Sequence, residues 1–100
     1  MKTKKIRIKG KIIEVEECKT LLSKTRGLMF RKNSKALLFN FKKPTRQPIH
    51  SFFCMPFLAI WRRNNKIIEE KVVKPFCLFI KPKQLFTELI EIPLRNSKKN

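Results

Sequence analysis

The sequence predicts a mainly β member of the α+β class: a small barrel-like or rolled sheet, antiparallel or mixed, with one short helix. Three observations predict it. Six or seven short apolar segments follow one another at close spacing, separated by Gly, Pro and Asn turn signals. The most apolar of them, Ile49–Trp61, is interrupted by Pro56, and a proline inside a helix costs about 3 kcal/mol. Only one segment, Cys18–Arg26, carries both start and stop signals for a helix. One crossover helix cannot build a parallel βαβ sheet, so strands must dominate.

The elements follow in chain order. Lys5-Ile6-Arg7-Ile8-Lys9 alternates with period two, as a strand with one wet face does. Gly10 breaks it and Ile12–Glu16 resumes it, as a hairpin or as one bent strand. The lysines and arginine at that edge discourage edge-to-edge pairing. In Cys18–Arg26, Thr20 is an N-cap, Leu21 and Leu22 begin an apolar stripe, and Lys24 and Arg26 suit the negative end of the dipole. Gly27 then stands at C′. Leu28, Met29 and Phe30 return to the core, and 31–35 is a polar connection.

Ala36–Phe41 is a strand and Lys42–Pro48 a basic loop between two prolines. The central segment divides at Met55-Pro56 into buried strands Ile49–Cys54 and Phe57–Trp61. Arg62–Asn65 is a turn, since Asn tolerates positive φ, and Lys66–Val73 is the returning strand of a hairpin. Phe76–Ile80 is a short apolar piece, Lys81-Pro82-Lys83 a turn, and Phe86–Ile92 a last strand ended by Pro93. One domain therefore spans 1–95, and 96–100 is a polar tail.

The 100 residues carry 25 Lys and Arg against seven Glu and no Asp, a formal net charge of +18. A compact body with that charge attracts polyanions, nucleic acid first and anionic lipid second. The same imbalance is also what genome-wide compositional drift produces. The apolar share of 42% with nine Phe and one Trp is globular and excludes a disordered chain. Cys18, Cys54 and Cys77 are odd in number and widely spaced, which speaks against a zinc site or a disulfide framework. The basic N-terminal stretch is followed by no apolar signal core, and no segment reaches the roughly 20 apolar residues of a membrane span. A cytoplasmic protein with reduced thiols is expected.

The chain also resembles the DUF192 family, a domain of unknown function. The resemblance runs through "RGLMFR" at Arg26–Arg31, "ALLFNF", "IHSFFCMPFLAIW", "KIIEEKVVKPF" and "LIEIP", in the family's order over about Ile12–Pro93. The "IH-x-FF" form is similar to the archaeal branch. Membership implies a compact β-rich fold with one helix and brings no established reaction, cofactor or catalytic residue. Leu58 stands where the family usually has Asp, and Leu94-Arg95 where it usually has Gly.

The candidate site residues fall in two groups. Arg26, Arg31 and His50 form a candidate anion or small-ligand site, because arginine offers planar bidentate donors to phosphate or carboxylate. The plainer alternative makes Arg26 a helix cap, Arg31 a surface charge and His50 a histidine satisfied by backbone or water. His50 and Cys54 on one strand would stand about 13 Å apart, too far for a Cys–His pair. Lys42, Lys43, Arg46, Arg62 and Arg63 form a candidate nucleic-acid surface, with core packing the plainer role of most phenylalanines. No catalytic residue, metal ligand or cofactor is assigned. The expected function is a non-enzymatic basic module that binds nucleic acid or another polyanion. A small-ligand or enzymatic site near RGLMFR and His50, and a docking module for an acidic protein, are the alternatives.

Overall fold

The computed structural model describes residues 3–18, 35–49, 56–74 and 80–94. They form six strands: β1 Thr3–Ile8, β2 Lys11–Cys18, β3 Ala36–Thr45, β4 Phe57–Arg63, β5 Lys66–Val73 and β6 Phe86–Pro93. All belong to one open mixed sheet in the order β1-β2-β3-β6-β4-β5. This corrects the expectation of a barrel-like sheet with one short helix. The sheet does not close, because β1 and β5 remain its two edges, and no helix occurs among the described residues. Cys18, expected to begin the helix, ends β2 instead. The rest of that segment, and the expected strand after Ile49, lie outside the described residues.

Burial explains the strand order. β3, β6 and β4 are apolar on both faces, with Leu37, Leu38, Phe57, Ile60, Trp61, Leu89 and Ile90 among the least exposed side chains. A strand with two apolar faces belongs in the middle of a sheet. β1 alternates charged with apolar residues, β5 is mostly charged or exposed, and the two take the edges. Two hairpins set the local register. β1 and β2 are joined by Lys9 and Gly10, both at positive φ (53° and 79°), and β4 and β5 by Asn64 and Asn65 (54° and 63°). Two-residue hairpins require this because their twist then matches that of the strands. The second turn is narrower than the expected Arg62–Asn65, since both arginines belong to β4.

β2 and β3 run parallel from Val15–Ala36 to Cys18–Phe39, and every other pairing is antiparallel. β3 also runs further than expected, taking Lys42–Thr45 into the strand. It holds Pro44 there at an irregularity between Asn40 and Thr45, where a missing N–H is tolerated.

The two faces carry two cores. Face one gathers Cys18, Leu37, Phe39, Phe57, Ala59, Trp61, Val73 and Leu89, with Ile80 and Phe86 from the chain's final third. Phe86 meets Phe41 and Trp61 edge-on at 5.3 and 6.4 Å between centroids. Face two gathers Ile8, Val15, Ala36, Leu38, Ile60 and Ile90. The β1–β2 hairpin reaches back over face two: Lys9 Nζ pairs with Glu70 on β5 at 2.7 Å. Arg62 Nη1 also donates to the Arg7 carbonyl at 3.5 Å.

Candidate functional site

Lys9, Lys11, Lys35 and Lys71, among others, lie toward one end of the sheet, while seven of the described cations collect at the opposite end. β2 and β3 run toward that end, β6 begins there, and β4 turns into β5 there. Lys42, Lys43 and Arg46 are exposed at the close of β3, and Arg63 and Lys66 are exposed on either side of the Asn64-Asn65 turn. Lys81 and Lys83 join them from the segment before β6. Two hydrogen bonds fix that segment across the sheet end. Arg46 Nε donates to the Pro82 carbonyl at 3.1 Å, and the Lys83 N–H donates to Glu69 Oε1 at 2.9 Å. A belt of positive charge thus runs from β3 to β5, three strand spacings or about 14 Å.

The acids near this belt are already engaged. Glu88 accepts Arg62 Nε at 2.9 Å and Nη2 at 2.6 Å, Glu69 accepts the Lys83 N–H, and Glu17 holds Lys4 and Asn40. Arg63 and Lys66 stand directly opposite one another in register. Like charges so placed repel, and a bound anion relieves the repulsion.

Of the residues read from sequence, Lys42, Lys43, Arg46 and Arg63 share this end of the sheet. Arg62 does not serve it: its residue is 8% exposed and its guanidinium is spent on Glu88 and Arg7. Its position next to Arg63 gave no hint of this, because alternation sends Arg62 to face two and Arg63 to face one. Arg26, Arg31 and His50 lie outside the described residues.

Sequence reasoning passed over a second feature. Glu91 lies on face one between Leu37 of β3 and Ala59 of β4 and is 5% exposed. Burial raises its carboxyl from 4.5 to about 8. Two positions along β4 from Ala59, the fully buried Trp61 has an indole N–H with no hydrogen-bond partner among the described residues. The run Leu89-Ile90-Glu91-Ile92 held the clue. With apolar residues on both parities, this part of the strand is buried on both faces, and the acid within the run must be buried too.

Among the described residues no group of three or more His, Cys, Asp or Glu side chains could hold a metal ion, and no helix is long and apolar enough to cross a membrane.

No protein-family model matches the chain, and no curated protein matches it. Two solved structures share the fold. One, from Sinorhizobium meliloti 1021, is described as a putative transcription regulator; it has a TM-score of 0.74 at 16% identity over 91% of this chain and 78% of its own. The other, a protein of unknown function from Novosphingobium aromaticivorans DSM 12444, has a TM-score of 0.72 at 16% identity over 82% of this chain. The match spans 64% of that second protein's length. At this identity the likeness is one of fold.

Proposed function

We propose that this protein is a non-enzymatic basic module that binds nucleic acid through the end of its sheet where β3 stops and β4 turns into β5. The observation that carries this reading is the belt of exposed Lys and Arg there, next to acids that are already engaged. The in-register Arg63–Lys66 pair adds to it. The ligand is a phosphate backbone and not a particular base sequence, because what the belt offers is charge. Membership of DUF192, supported by the ordered motifs from Arg26 to Pro93, and a cytoplasmic location belong to the same proposal.

The test is fluorescence anisotropy of a labelled 20-nucleotide RNA and a 20-base-pair DNA between 50 and 200 mM salt, about the range over which phosphate binding responds to salt. Replacing Lys43 and Lys66 by Gln should flatten the slope of log K against log salt by about 2, near 1 for each phosphate no longer neutralised. Replacing Lys11 and Lys71, toward the other end of the sheet, removes the same charge and should leave the slope nearly unchanged. Absence of binding at 50 mM salt, or equal losses in both double variants, refutes the proposal.

A further inference from the structure

The backbone of edge strand β5 can be followed outward from the middle of the sheet. The Leu94 N–H donates to the Pro56 carbonyl at 2.9 Å. Opposed residues of an antiparallel pair alternate between bonded and non-bonded. Pro56, Leu58 and Ile60 therefore direct their backbone groups to β6, and Phe57, Ala59 and Trp61 direct theirs to β5. Pro93, which has no N–H, accordingly stands opposite Phe57 at a non-bonded position. Across β4, Val73 and Lys71 bond inward, while Val72 and Glu70 turn their N–H and C=O groups out from the edge. Val72 is also 60% exposed. It ends a row on face two in which Ile92, Leu58 and Val72 stand in register, the first two half-buried. An apolar row thus runs out to an open edge.

Charge decides what can lie against that edge. β1, the other edge, carries Lys4, Lys5 and Arg7 and no acid, so it repels a second copy of a chain with a net charge of +18. β5 is neutral, since Lys66 and Lys71 offset Glu69 and Glu70. We propose that β5 pairs antiparallel with β5 of a second copy, about a two-fold axis through Val72, joining two six-stranded sheets into one. In this register Val72 meets Val72, the two apolar rows become continuous, and the outward N–H and C=O groups of Val72 are exchanged between the copies. Glu70 of each copy stands opposite the exposed Lys74 of the other. Centring the axis on Glu70 or on Lys71 instead sets like charges directly opposite. Glu70 already holds Lys9 at 2.7 Å, and a carboxylate has lone pairs for a second ammonium. On face one, Lys71 faces Val73 of the other copy. The two Lys71 residues are then diagonal neighbours, about 7–8 Å apart at Cα, on exposed side chains that reach water. This interface does not depend on the cationic belt.

The contact is small, so the dimer should be half formed at about 100 μM. Sedimentation equilibrium of the full chain from about 10 μM to about 1 mM measures it. The protein is treated with nuclease first, so that nucleic acid cannot bridge two copies. Amide hydrogen exchange followed by NMR should slow at Val72 and Glu70 as concentration rises, and stay unchanged at Lys5 on the β1 edge. Val72→Lys sets two like charges on the axis and should weaken the dimer about tenfold or more. Lys74→Glu faces Glu70 with a second carboxylate and should weaken it too, although a lower net charge by itself eases association. Arg7→Glu makes the same change of charge on β1 and should not weaken it. If Val72→Lys does not fold, Lys74→Glu and the exchange data decide. A chain still monomeric at about 1 mM overturns the proposal. So do a Val72→Lys dimer as tight as the wild type, and protection gained along β1 in place of β5.

Discussion

Replacing Glu91 by Gln should stabilise the protein, and increasingly so as the pH rises. The unfolded carboxyl ionises near its ordinary 4.5, whereas in the sheet it keeps its proton up to about 8. Between those values the unfolded state has released a proton that the folded state still holds. Stability therefore falls with rising pH, by about 1.4 kcal/mol per unit. The contribution is fully present below about 4.5 and lost by about 8. A rise from 4.5 to about 8 corresponds to a total on the order of 5 kcal/mol, roughly two thirds of it lost by pH 7. Gln has nearly the same shape and carries no charge at any pH, so it removes this dependence. Urea unfolding of both proteins from pH 4.5 to 9 checks it. The two stabilities should be similar at pH 4.5 and differ by about 4 kcal/mol or more above pH 8. Parallel pH profiles would show that Glu91 ionises normally in the folded protein, and the argument from burial would fail.

Two further outcomes follow from the hairpins and the interior ion pair. Arg62→Met should cost about 2–3 kcal/mol in chemical denaturation, because it strands the largely buried Glu88 carboxylate; Glu88→Gln with Arg62→Met should recover part of the loss. Asn65→Gly should raise stability by about 0.5 kcal/mol, since φ of 63° at that position suits glycine better than any side chain. A thermal melt showing a loss for Asn65→Gly would contradict the turn geometry.

Much of the sheet was legible in the sequence because it is local. The Asn64-Asn65 pair places the second hairpin, and the period-two run at Lys5–Lys9 with the Gly10 break places a first strand and a hairpin or bend after it, since a turn's geometry depends on its own residues. The exposed side chains of Lys42, Lys43, Arg46 and Arg63 were equally readable, because charge alone keeps such groups in water. The mixed topology was not. Whether β2 lies parallel to β3, and whether β6 inserts between β3 and β4, depends on which apolar faces meet, and many segments of this chain offer two. Arg62 and Arg63 are adjacent in sequence, yet one is interior and the other exposed.

The sequence by itself determined that strands would dominate, where the second hairpin turns and how strongly cationic the surface is, for these follow from periodicity, turn chemistry and composition. Only the tertiary structure decided that the sheet stays open, that Lys42, Lys43, Arg63 and Lys66 of β3, β4 and β5 share one end, and that a lone carboxyl is enclosed beside an indole. Those are consequences of long-range strand pairing, in which residues far apart in the chain are brought together by burial, and no local pattern encodes the partner.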